Sequence, residues 1–297
     1  MAMFCFDNRS ARGRVACVLT VLALVGARVA PAAEPASRQA TSSKAAREDA
    51  VKSIPFDKLS EGAKAKINGV LSHTTLYRRL PTQAIDCDPD LHCLLAKHPE
   101  VVANIWEVLE MSKVSLQRTG PTTLRAADGS GTAGNLEYLY SDAETQVIFC
   151  DGVYDGPLFP KKVRGECVMV LRASYTRETN GRFYSVNRLD MIVRLENIGV
   201  EFMAKTFQPL INKCADSNFA DTMGFISALS RSAEANPAGA VRMAAKLKRI
   251  DPTLRDEFAQ VAGSVSDRQD SEPVLARNNG GPNKTQPATA TVPLPRR

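Results

Sequence analysis

Apolar and polar positions along the chain recur first at helical spacing, then in alternation, then at helical spacing again. Ser60 reads as an N-cap, after which Ile67, Val70 and Leu71 mark one helical face. Residues 74–85 (TTLYRRLPTQAI) read as extended and broken at Pro81, which suits an edge strand. Asp88 or Asp90 caps a short helix over 91–97, and Pro99 opens another along which Val102, Ile105, Trp106 and Leu109 share a face. The texture then changes. Residues 113–118, 122–126, 132–140, 145–152, 163–176 and 182–196 are rich in β-branched and aromatic residues, with Gly, Pro, Asn and Asp between them. Asn180-Gly181 is a hairpin signal. In the last of these segments Leu189, Met191, Val193 and Leu195 alternate with Arg188, Asp190, Arg194 and Glu196, and Ile192 is the exception. The pattern predicts an antiparallel sheet with one face buried and the other in water.

Residues 199–231 follow as a long helix, with a kink or restart expected at Pro209. On a helical wheel, Leu210, Ile211, Cys214, Ala215, Phe219, Phe225, Ile226 and Leu229 make a wide apolar stripe. Lys213, Asp216, Ser217, Ser227, Ser230 and Arg231 fall on the opposite half. Asn218 and Thr222 interrupt the stripe four residues apart. Two shorter helices over 237–250 and 252–262 carry enough apolar residues to dock, and no internal repeat is present.

Composition adds the compartment and trims the charge. Arg9, Arg12 and Arg14 precede the apolar run VACVLTVLALVG, and Ala30-Pro31-Ala32 follows, which is the layout of a secretory signal peptide. The run is too short to span a bilayer, which takes roughly 20 apolar residues. The expectation is an exported protein, periplasmic or extracellular, cleaved near Ala32 and without a transmembrane segment in the mature chain. Residues 33–56 read as a disordered leader, 57–263 as a single α+β domain and 264–297 as a disordered tail, through which an envelope partner is conceivable. Of the formal net charge of +6, +3 belongs to residues 1–32 and +2 to the tail, so the folded body stands near +1. That removes the usual ground for nucleic-acid binding. Cys87, Cys93, Cys150, Cys167 and Cys214 remain after cleavage. Cys87–Cys93 and Cys150–Cys167 are candidate disulfides, and buried free thiols are the alternative.

The order is a strand, two short helices, six antiparallel strands and one long helix. It resembles the helix-grip fold of the START and polyketide-cyclase-like superfamily over about residues 74–232. The resemblance implies a curved antiparallel sheet of about six to seven strands wrapped around a long C-terminal helix and a hydrophobic cavity. The helices after residue 237 are additions to it. The segments LYRRLPTQAIDCDPDL, HPEVVANIWEVLE and FCDGVYDGP are also similar to secreted proteins of planctomycete-type bacteria, a likeness that implies no site residues.

Candidate chemistry is sparse. Asp86, Asp88, Asp90, His92, Cys93 and His98 lie close together and offer oxygen and nitrogen ligands to a divalent metal. The run lacks the glycine and terminal Glu of an EF-hand loop and any CxxC or HExxH spacing. An Asp-rich turn capping a helix beside an exposed histidine accounts for it, so neither metal nor cofactor is assigned. The mature chain's His73, His92 and His98 all precede the strands and no GxSxG occurs, so no catalytic residue is assigned. The remaining reading is a cavity for an apolar or amphipathic, lipid-like small molecule, contacted by Asn218, Thr222 and Phe225 from the helix and by Ser185 and Asn187 from the last strand. An interior above about 300 Å³ favours binding. A close-packed one favours an envelope scaffold, and a cyclase- or hydrolase-like enzyme is the third reading.

Overall fold

The structure, a computed structural model, describes residues 39–157, 162–179, 181–196 and 208–268. The segment expected to be a signal peptide and nearly all of the expected tail lie outside the described residues.

Two helices open the fold. α1 (Lys44–Lys52) starts after Ser43, whose hydroxyl accepts from Ala46 N, and α2 (Glu61–Ser72) starts after Ser60, which accepts from Ala63 N. The second was expected. The first stands in the segment expected to be disordered, which holds no large apolar residue before Val51. Docking explains it: α1 buries only Ala46 and Ala50, and Arg79 reaches up from the sheet to donate to Ala46 O at 3.1 Å and to Asp49 at 2.8 Å.

β1 (Leu76–Arg79) and β2 (Gln83–Asp86) are two pieces of one edge, separated around Pro81, and both pair antiparallel with β8 (Phe183–Leu195). α3 (Pro89–Lys97) and α4 (Pro99–Val108) follow, each with proline in its first turn. β3 (Ser115–Arg118), β4 (Thr123–Ala127), β5 (Thr132–Ser141), β6 (Thr145–Tyr154) and β7 (Val163–Arg177) then run antiparallel back to β8. The sheet order is β1-β8-β7-β6-β5-β4-β3, with β2 also on β8. It is curved and unclosed, and it wraps α5 (Gln208–Ala235), a helix of 28 residues. α6 (Pro237–Ala244), α7 (Pro252–Gly263) and α8 (Val265–Arg268) complete an α+β, helix-grip architecture with extra C-terminal helices.

One expectation changes. The outer face of the sheet is only partly solvated: Val147, Phe149, Val168, Val170 and Ile192 are buried there under α1 and α2, against Ala50, Ile67 and Val70, while Asn135, Asp151, Arg164 and Arg172 remain exposed. Ile192, the exception to the alternation, belongs to this second core. In β5 the register slips between Tyr138 and Tyr140, so Tyr138 pairs with Ile148 and Tyr140 with Val147. This bulge puts the two tyrosines on opposite faces, where strict alternation would keep them together. The kink or restart expected at Pro209 falls where the described part of the helix begins, and the expected stretch before Gln208 lies outside the described residues. Pro209 is the second residue of α5 as described, a first-turn position where a missing N–H costs little.

The polar half of α5 is also not solvent-facing at its C-terminal end. Ser227 donates to Asp86 O and the Asp88 N–H donates to Ser230 Oγ, both at 2.9 Å, which fixes β2 and the start of α3 against the helix. Arg268 in α8 pairs with the Asp88 carboxylate at 2.8 Å, so residues 264–268, placed in the tail by the sequence, are docked on the domain. Ser230→Ala leaves a buried N–H without its partner. It should lower stability by about 1–2 kcal/mol in urea denaturation.

Candidate functional site

The inner face of the sheet and α5 do not meet completely. Between them lies a cavity of about 230 Å³ with an almost wholly apolar wall. β5 to β8 supply Leu136, Tyr138, Ile148, Met169 and Leu189 as one wall, because their inward positions follow the period of two. α5 supplies Asn218, Phe219, Thr222, Met223 and Ile226, residues three to four apart on one helical face. α3 and α4 close a third side with His92, Leu95, Val102 and Trp106.

Asn218 and Thr222 both line this cavity. The Thr222 hydroxyl donates to Asn218 O at 2.7 Å. Phe225 stands behind the wall, packed edge-on against Trp106 with ring centroids 5.6 Å apart. Ser185 and Asn187 are fully buried on the inner face of β8, one step behind the lining. Asn187 Nδ2 donates to Ser185 Oγ at 3.0 Å.

Sequence reasoning missed His92. Expected to be exposed in an Asp-rich turn, it is 1% exposed on the inward side of α3. Its Nδ1 lies 2.9 Å from the Tyr175 hydroxyl. The Asn187 side chain beside the imidazole pulls its pKa upward. Burial outweighs that pull and lowers the His92 pKa from 6.5 to about 4, so the ring is neutral at physiological pH. The Tyr175 hydroxyl also donates to Ala143 O at 3.2 Å, so one phenol ties the ring to the β5–β6 turn. The signal was present in the sequence: His92, Leu95, Ala96 and Pro99 fall three to four apart, on one line that faces inward.

The charged groups near the cavity are used elsewhere. Asp86 pairs with Arg182 at 2.8 Å, Asp88 and Asp90 with Arg268, and buried Glu100 with Arg118 at 2.5 Å. Among the described residues, no three His, Cys, Asp or Glu side chains converge as metal ligands would. The disulfide candidates are also corrected. Cys87, Cys93, Cys150 and Cys167 are free, buried thiols, and burial pushes Cys87 and Cys167 up to about 12. α3 begins at Pro89, so Cys93 sits inside a helix rather than in a loop with Cys87. Cys150 and Cys167 face one another across β6 and β7 but serve as small apolar groups of the core.

No protein-family model and no curated protein matches the sequence. Among solved structures, the chain is similar to a di-domain aromatase/cyclase, BexL, from the BE-7585A biosynthetic pathway. The identity is 13%, the TM-score 0.33, and the match covers 55% of this chain and 53% of that one. It is also similar to apo dicamba monooxygenase, at 11% identity and a TM-score of 0.26, over 62% of this chain and 58% of that one. The chain thus spans little more than half the length of either. Among the described residues no helix is long and apolar enough to cross a membrane.

Proposed function

We propose that this is an exported, non-enzymatic protein that holds one small, mostly apolar molecule between its sheet and α5. The observation that carries this reading is the cavity: about 230 Å³, walled by Leu, Ile, Met, Phe and Trp side chains, with a few convergent polar groups. A dry cavity of roughly 150 Å³ already accepts benzene, so this one accommodates a substituted ring or a short acyl chain. It lies below the roughly 300–1,000 Å³ of sites for drug-sized ligands, so a whole two-chain lipid does not fit inside. The interior is neither close-packed, as a pure scaffold requires, nor large.

Native mass spectrometry of protein purified from its source, followed by thermal shift with short alkylbenzenes, tests the reading. A bound species or a ligand-dependent rise in Tm supports it. No retained molecule and no shift at saturating ligand would sink it. A second prediction concerns shape: Leu136→Phe grows into the cavity. It should change stability by less than about 1 kcal/mol, where overpacking a filled core costs typically 1–3 kcal/mol. The same variant should weaken ligand binding at least tenfold by calorimetry, because the added ring occupies the ligand's volume.

A further inference from the structure

The polar atoms on the cavity wall differ from those that a lipid acid needs. Among the described lining residues there is no Lys, Arg, Asp or Glu. The one titratable nitrogen heterocycle, His92, is buried and held neutral beside Tyr175 and Asn187. Two hydroxyls line the wall, and each has already committed its proton to a carbonyl. Thr222 donates to Asn218 O at 2.7 Å, and Tyr138 donates to Ala96 O at 2.8 Å. A hydroxyl that donates to its own scaffold has only lone pairs left for a guest. Burial also raises the Tyr138 pKa, so that phenol does not ionise to change the balance.

Resting on the cavity reading above, we propose that the ligand is an uncharged alcohol or phenol with an apolar body, and that its hydroxyl donates to Thr222. A carboxylate brings a negative charge to a wall whose polar side chains, the neutral Asn218 amide and His92 ring among them, supply no cation. An isolated charge in such a site carries a desolvation cost that nothing there offsets. A neutral donor instead meets Thr222, the less buried of the two hydroxyls, in the middle of α5. An alkane or arene without a polar group fits the same space but leaves the Thr222 acceptor without a partner.

Three probes of nearly equal size separate the cases on the full chain: propylbenzene, 4-propylphenol and 4-propylbenzoate, titrated by calorimetry at pH 7.5. The expected order is the phenol about fivefold tighter than propylbenzene, the range of one net hydrogen bond, and the benzoate at least tenfold weaker than propylbenzene. Thr222→Val should bring the phenol-to-propylbenzene ratio to about one, and Thr222→Ser should retain the preference. Benzoate binding as tight as the phenol overturns the proposal, and so does a phenol preference that survives Thr222→Val. If propylbenzene itself does not bind, the cavity reading fails and this one fails with it. Propylbenzene binding without any phenol preference sinks this inference alone.

Discussion

Asp190→Ala is expected to lower folding stability by roughly 3–5 kcal/mol, the range for removing one partner of a buried ion pair. Asp190 lies on the outer face of β8 and is 0% exposed. It accepts from the Tyr77 hydroxyl at 2.6 Å and from Arg79 Nε at 2.7 Å. Arg188 lies 3.4 Å away, and both arginines also reach Asp49 in α1, at 2.8 and 3.2 Å. Alanine leaves the Tyr77 hydroxyl and most of the Arg79 charge buried without an acceptor. Asp49, half exposed, compensates only in part. Because the same arginine donates to Ala46 O, the loss should also loosen α1 and hasten proteolysis within residues 44–52. Asp190→Asn keeps an acceptor for Tyr77 and should cost less. An Asp190→Ala variant as stable as wild type in urea, with an unchanged cleavage pattern, would falsify the assignment of this network as the tie between α1 and the sheet.

The second large effect is set by pH. Burial holds the folded His92 near 4, against 6.5 when unfolded. Between those values the unfolded chain binds a proton that the folded protein refuses, so stability falls as the solution is acidified from pH 6.5 towards 4. The stabilisation is fully present above pH 6.5, and the difference amounts to about 3 kcal/mol. His92→Gln should remove this slope while leaving a lower stability at pH 7, since Tyr175 and Asn187 lose part of their partner. Carboxylates held below their usual range act at lower pH. Glu100 is an instance: burial alone would raise it, but hydrogen bonds from His98 and Arg118 outweigh burial and lower it below 4.5. Its stabilisation is present above pH 4.5 and is lost as pH falls through its lowered value. Urea midpoints at pH 7 and pH 5 separate the two groups. An equal loss in wild type and His92→Gln would show that the buried imidazole is not the titrating group.

Local signals and tertiary arrangement can be separated residue by residue. Ser60 caps its helix, Pro99 opens α4, and every expected strand from β3 to β8 is present within a few residues of its expected bounds. Those features depend on neighbours in sequence: a cap bonds three residues on, and a strand shows its period of two directly. Asn218 and Thr222 were legible for the same reason, since two polar residues four apart in an apolar stripe must enter the same interface. His92 was obscured by the carboxylates around it. Asp88 and Asp90 turn away to Arg268, 180 residues further along the chain, and that leaves the imidazole alone on the inner side.

The sequence by itself determined the α+β class, the order of elements and the inward line of α5. Each follows from propensity, periodicity and capping within about ten residues. Only the tertiary structure decided that part of the outer face of the sheet is buried as well, that α1 docks through Arg79, that Ser227 and Ser230 face inward, and that a cavity of about 230 Å³ remains beside Thr222. The physical reason is the same in each case. Burial and hydrogen-bond partners are set by groups tens to hundreds of residues apart, and a void exists only where three walls, each correct locally, fail to touch.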